Sequence, residues 1–169
     1  MRDVFETYRG VVKAAERDHY GHMNVQFYVA RVSDASSTMM NAIGLTSAVM
    51  QAERLGFAAI DQRFEYLREA HDGDLLVMRS HLVSAAGKKI VLGHELSNAI
   101  TGVVAMKAEV LALMLDLDKR RAVAIPPAIM AILEAGGQHE PAPANAPPLP
   151  THRSTRPTSR WSIPGPNAR

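Results

Sequence analysis

The sequence predicts an α+β domain in which an antiparallel sheet wraps around one long central helix. Three observations carry this. The stretch from Asn24 to Met50 holds only two charged residues, Arg31 and Asp34, and its apolar positions recur at helical spacing. A helix with so little charge is expected to be buried on more than one side. The segments that follow are rich in β-branched residues and are punctuated by short glycine-containing turns, the pattern of antiparallel strands. The cheapest way to bury such a helix is to curl that sheet around it.

Each element follows in order. Residues 4–13 are rich in β-branched and aromatic types and form a first strand. A loop, ERDHYGHMN, leads into the helix. Val25, Val29, Val32, Ser36, Met39 or Met40, and Ile43 define its stripe, with Asn24 as N-cap and Gly44 as C-terminal stop. A shorter helical turn covers 46–54. Residues 57–68 form a strand with Ile60, Phe64 and Tyr66 on one face and Asp61, Arg63 and Glu65 on the other. Turns at Asp72-Gly73, Ala86-Gly87-Lys88 and Thr101-Gly102 separate strands 75–84, 89–98 and 103–116, giving four consecutive antiparallel strands. Pro126 and Pro127 open a last helix over 126–135. The methionines at helical or strand spacing read as core.

Composition limits the function. The 169 residues carry a formal charge of +2, but the excess is local. Residues 139–169 hold four arginines against Glu140, a charge of +3, and the other 138 residues sum to −1. Nothing in residues 1–138 has the basic footprint of a nucleic-acid binder. The tail also holds 8 of the 10 prolines, with Leu149, Trp161 and Ile163 as its large apolar residues. It reads as a disordered extension to a domain spanning 1–138; the other reading is a basic anchor with Trp161 at its centre. Without cysteine there is no disulfide, thiolate metal site or cysteine nucleophile. No apolar run resembles a leader or a membrane span, so a cytoplasmic protein with no membrane partner is expected.

The chemistry is concentrated at Asp18-His19-Tyr20-Gly21-His22-Met23-Asn24-Val25. Asp18 lies six residues before the helix N-cap, and Gly21 permits a sharp bend between them. The first helical turn offers backbone N–H groups from Val25, Gln26 and Phe27. With the positive end of the helix dipole, they can polarise a carbonyl or hold an oxyanion. A carboxylate facing such donors suits acyl transfer or hydrolysis. His22 can line the site, orient Asp18 or bond the loop backbone. His19 reads as solvent-facing. Their spacing of three invites a metal pair, but no further ligand set accompanies it. Asn24 is first a cap. Tyr28, one turn into the helix, packs or touches substrate. Arg31 and Asp34 can pair at i, i+3, or Asp34 can act as a second carboxylate. His81 and His94 read as core or edge histidines.

The D-x-x-G-H-x-N stretch followed by Tyr28 resembles the hotdog-fold acyl-CoA thioesterases of the 4-hydroxybenzoyl-CoA thioesterase class. Tyr66, Gly73-Asp74 with Leu76, Gly87-Lys88, His94-Glu95, Asn98, Thr101-Gly102 and Ala105 extend the resemblance over residues 4–117. It implies a helix wrapped by an antiparallel sheet, with Asp18 as catalytic carboxylate and the Val25 amide polarising the carbonyl. It further implies an acyl-CoA substrate held between two subunits of a homodimer or dimer of dimers, with no cofactor or metal. Lys88 and Lys89 can then meet CoA phosphates as point charges, or they are a solvated turn. Asp18, ionised at neutral pH, can attack the thioester or activate a water. The alternatives are an enoyl-CoA hydratase and a non-catalytic acyl-CoA-binding module. The hydratase pattern places His five residues after Asp; here Met23 stands there and His22 is fourth. The loop also resembles that of thioesterases for short or polar acyl groups, betainyl-CoA hydrolases among them.

Overall fold

The structure, a computed structural model, describes residues 3–135, so the boundary expected at residue 138 and the proline-rich tail lie outside the described residues. The chain forms β1 (Phe5–Val11), a 3-10 turn at Ala14–Glu16, α1 (Val25–Ala42), α2 (Ser47–Ala52), β2 (Leu55–Tyr66) and β3 (Leu75–Ala86). It continues through β4 (Lys89–Asn98), β5 (Val104–Asp116), β6 (Arg121–Ala122) and α3 (Pro127–Ala135). Every strand pairing is antiparallel, in the order β1-β3-β4-β5-β2, with the two-residue β6 added to the end of β5. Only β3, β4 and β5 form the expected consecutive run. The place beside β3 is taken by β1, paired from Phe5–Ser80 to Val11–Leu75. That leaves β2 the free edge of β5, so the Asp72-Gly73 turn carries the chain across the sheet and closes no hairpin.

Helix α1 begins and ends as its residues dictate. The Asn24 side chain accepts the Gln26 N–H at 3.0 Å, and Gly44 sits at φ +90°, where only glycine is unstrained. Its burial differs from the expectation. One face, with Tyr28, Arg31, Val32, Ala35, Met39 and Met40, is buried against β1, β3 and β4. The opposite face, with Ser33, Asp34, Ser37, Thr38 and Asn41, is exposed in the single chain, and Val25 and Val29 lie outside the buried stripe. Small uncharged residues signal close packing in sequence, but here Ser37, Thr38 and Asn41 satisfy themselves locally. Each bonds the carbonyl four residues back, at 3.3, 2.9 and 3.0 Å.

The core has two apolar clusters with a polar layer between them. Val12, Met23, Tyr28, Val32, Leu76, Met78, Leu96 and Met106 pack toward the N-terminal end of α1. Met39, Ile43, Leu45, Ile90, Leu92, Met114, Ile129 and Leu133 pack toward its C-terminal end, which α3 covers. On each of four elements one polar residue separates the clusters: Thr7 on β1, Ser36 on α1, Ser80 on β3 and His94 on β4. The Ser36 hydroxyl donates to the Val32 carbonyl at 2.8 Å, so its oxygen accepts from His94 Nε2 at 3.2 Å. The other ring nitrogen, Nδ1, then accepts from the Ser80 hydroxyl at 2.7 Å, and Thr7 Oγ1 completes the chain at 2.6 Å from Ser80 Oγ. Every polar atom of a 3 %-exposed imidazole is thus satisfied in its neutral form.

The outer face of the sheet carries a ladder of alternating charge that crosses all five long strands. Glu6 lies opposite Arg79, Arg79 opposite Glu95, Glu95 opposite Lys107 and Lys107 opposite Glu65. Opposite charges in register favour the observed pairing, and a slip would set like charges together. Next to this ladder the His81 ring lies over Gly93, where a Cβ would meet it at 2.5 Å. On β2 the register shifts between Ala59 and Asp61. Phe64 and Tyr66 share one face, that of their buried partners Ala108 and Met106, although Tyr66 itself is 48 % exposed. Ile60 falls at the bulge and is 55 % exposed, because the extra residue breaks the two-residue alternation.

His94 generates a pH dependence of stability. Burial, with His81 nearby, lowers its pKa from 6.5 to about 4. The unfolded chain therefore binds a proton between these values that the folded chain refuses. The stabilisation is complete above pH 6.5 and is lost as pH falls toward 4. Urea unfolding should show a loss of roughly 2 kcal/mol between pH 7 and pH 5. His94→Gln should flatten that slope, whatever its stability at pH 7.

Candidate active site

The motif loop is closed at its base and turned by glycine. Arg17 and Met23 form an isolated antiparallel bridge, the Asp18 N–H donates to the His22 carbonyl at 3.0 Å, and the Gly21 N–H donates to the Asp18 carbonyl at 3.1 Å. Gly21, at φ +92°, makes the reversal possible. Met23, 1 % exposed, plugs the loop into the core, and its N–H donates to the Ala70 carbonyl at 2.7 Å. The loop is thus docked on the β2–β3 connection.

This folding aims Asp18. One carboxylate oxygen, Oδ1, accepts the Tyr20 N–H at 2.9 Å in a local turn. The other, Oδ2, lies 3.7 Å from His22 Nδ1, and the side chain is 14 % exposed. His22 is flanked on its far side by Glu69, whose Oε1 is 3.8 Å from Nε2. Asp18, Tyr20, His22, Met23, Asn24, Val25, Tyr28, Tyr66, Leu67, Arg68 and Glu69 line one open cavity of about 430 Å³. Tyr28 packs edge-on against Tyr66, with ring centroids 5.3 Å apart, and burial pushes its phenol pKa up, so it stays neutral.

The helix start offers fewer donors than expected. The Gln26 N–H is taken by the Asn24 side chain, and the Phe27 N–H by the Asn24 carbonyl at 3.0 Å. The Val25 N–H has no acceptor among the described residues and borders the same cavity as Asp18. A fixed carboxylate and a free N–H at a helix N-terminus are the elements needed to attack a carbonyl and hold its developing oxyanion.

Asp18, His22, Asn24, Val25 and Tyr28 are therefore brought together, and the lysines are not. Arg68 N–H bonds Ala105 at the Asp18 end of β5, whereas Lys89 pairs with Leu113. Eight residues of strand separate those points, roughly 27 Å at the rise of a β-strand. Within one chain, Lys88 and Lys89 sit in the turn at the far end of the sheet. His19 is an exposed, solvent-facing loop residue whose ring lies tilted against Tyr20, with centroids 3.9 Å apart. Asp34 is exposed on the other face of α1 and has no ion-pair partner among the described residues. Arg31 bonds Glu16 at 2.7 Å instead, because its side chain points inward beneath the loop. Among the described residues no cluster of metal-ligating side chains occurs, and no helix is long and apolar enough to cross a membrane. Glu69, and a site role for Tyr66, escaped the sequence reading. They reach the cavity through the β2–β5 pairing and the β2–β3 crossing, which no local pattern signals.

Three comparisons bear on this arrangement. A family model described as thioesterase-like superfamily matches residues 12–133. A betainyl-CoA thioesterase of Pseudomonas aeruginosa is 26 % identical over 135 residues, 80 % of this chain and 85 % of the relative. An L-carnitine dehydrogenase/betainyl-CoA thioesterase of Rhizobium meliloti is 28 % identical over 123 residues, 73 % of this chain. The chain spans only about a quarter of that relative's length, 25 %. Among solved structures, YbaW, a probable thioesterase from Escherichia coli, superposes with a TM-score of 0.70 at 22 % identity. It covers 79 % of this chain and 100 % of its own.

The cap has a measurable role in holding the free amide. Asn24→Ala should lower stability by about 1 kcal/mol, with Asn24→Ser close to wild type, as read by urea unfolding at pH 7.

Proposed function

The chain belongs to the thioesterase-like superfamily and has the hotdog architecture, and on that premise we propose that it hydrolyses an acyl-CoA thioester using Asp18. One observation carries the assignment. Asp18 is held by the Tyr20 amide through one oxygen, while its second oxygen, 3.7 Å from His22 Nδ1 and without a hydrogen bond among the described residues, lies at a cavity that also borders the unengaged Val25 amide. A thioester carbonyl bound there accepts the Val25 N–H. The carboxylate either attacks the carbonyl carbon or takes a proton from an attacking water. In both routes the C–S bond breaks and CoA leaves as a thiolate; in the first, water then hydrolyses the acyl–Asp18 anhydride, releasing the acid and restoring the carboxylate. His22, 3.7 Å from Asp18, orients the carboxylate, and Asn24 holds the helix start. Tyr28 forms the wall against the acyl group. The reading includes a homodimer, or pairs of dimers, in the cytoplasm. The twelve-residue β2 supports an association, since it is an open edge with Ile60 exposed at its middle.

The acyl group we infer is small and cationic, of the betainyl kind. The lining supports this, with Tyr20, Tyr28 and Tyr66 as aromatic faces and the carboxylates Asp18 and Glu69 outnumbering its one cation, Arg68. The names of the two relatives point the same way.

Asp18→Asn should lower acyl-CoA hydrolysis at least ~100-fold in a thiol-release assay. Near wild-type turnover would remove Asp18 from the chemistry. For the acyl group, kcat/KM with betainyl-CoA should exceed that with its neutral isostere, 3,3-dimethylbutyryl-CoA, by about tenfold or more. Equal values would overturn the cationic substrate and leave hydrolysis standing.

A further inference from the structure

The most unusual group outside the cavity is a buried guanidinium. Arg31 is 5 % exposed, two turns into α1, and its Nε has no hydrogen-bond partner among the described residues. Its Nη2 donates to Glu16 Oε2 at 2.7 Å, its Nη1 lies 2.7 Å from Met23 Sδ and 3.5 Å from the Phe27 carbonyl, and its plane covers the Tyr8 ring at 5.2 Å. Glu16 is equally committed. Its side chain also accepts the Lys13 N–H at 3.0 Å, and its carbonyl accepts the Asn24 N–H at 2.9 Å. The Arg31 and Lys13 donors hold its carboxyl below the usual carboxylate range against the opposing effect of burial.

The connectivity of these contacts is specific. Glu16 is the residue immediately before the loop, and Asn24 is the residue immediately after it. Met23, the loop's plug, rests on the guanidinium. One cation on α1 thus grips both ends of the seven-residue segment that carries Asp18, and it ties that segment to β1 through Tyr8. A buried ion pair is a poor source of net stability, because desolvation offsets most of the attraction, and apolar replacements are often no less stable. Its geometric precision is what an apolar pair cannot supply.

We propose that Glu16 and Arg31 are positioning residues that set the register of the Asp18 loop on the start of α1, so that the carboxylate and the Val25 amide share one cavity. The proposal rests on the hydrolytic reading for its effect on rate, but not for its effect on the loop.

The test is the double variant Glu16→Leu/Arg31→Met, which replaces the pair with apolar side chains and leaves neither charge stranded. Hydrogen exchange should then quicken at least tenfold at the amides of Asp18, Gly21, Met23 and Asn24, with β3–β5 protection unchanged. In the same variant kcat should fall at least tenfold with KM within about twofold, since the cavity walls remain. Glu16→Gln, which keeps an acceptor for both donors, should retain loop protection. If the double variant fails to fold, Glu16→Ala against Glu16→Gln makes the same comparison. Unchanged loop protection, or loop and strands loosening together, overturns the proposal. If the wild-type protein releases no thiol, or Asp18→Asn turns over normally, the hydrolytic reading fails and hydrogen exchange alone decides the role of the pair.

Discussion

A line of four polar side chains, Thr7, Ser80, His94 and Ser36, crosses the core and fixes helix α1 against the sheet. Apolar side chains would allow the helix to slide or rotate with modest loss, since dispersion contacts are numerous and undirected. The hydroxyl–imidazole chain does not, because each link is directional and a broken link leaves a buried donor or acceptor unmet. The methionine-rich clusters on either side need such a constraint. Met23, Met78, Met106, Met39 and Met114 fill irregular space well but specify position poorly.

From that fixed helix the candidate site follows by geometry. Asn24 caps the end that points at the loop, using the Gln26 N–H and leaving Val25 free. The Glu16–Arg31 pair and the buried Met23 bring the loop back onto the same end. The β2–β3 crossing supplies the facing wall, with Leu67 and Arg68 bonded to Ala105 and Ala70 bonded to Met23. The carboxylate, the amide and the tyrosine pair are therefore carried by three parts of the chain, none of which holds the site alone. Apart from the Glu16–Arg31 pair, the charges that bear on register lie on the outer face of the sheet, where the Glu6–Arg79–Glu95–Lys107–Glu65 ladder favours the observed pairing at little desolvation cost.

Much of this was legible locally. The helix from Asn24, its glycine stop, the turns at Gly73, Gly87 and Gly102, and the proline-led α3 all follow from short-range backbone preferences. The failures have a common cause. Alternation puts Ile60 on one face with Phe64 and Tyr66 but is broken by the bulge, and the i, i+3 spacing that lets Arg31 pair with Asp34 is overridden by Glu16. Each error substitutes proximity or residue type for a position set by strand pairing.

By itself the sequence determined the element types, the glycine-turned Asp18–Asn24 loop ahead of α1 and the near-neutral charge of residues 1–138. These depend on backbone conformations and side-chain chemistry that a few adjacent residues specify. Only the tertiary structure decided that β2 takes the far edge, that Glu69 and Tyr66 enter the cavity, that Arg31 binds Glu16, and that His94 is held neutral in the core. Those outcomes turn on which distant segments occupy the same space. That competition between pairings is won by burial and hydrogen-bond satisfaction over the whole chain, which no local window contains.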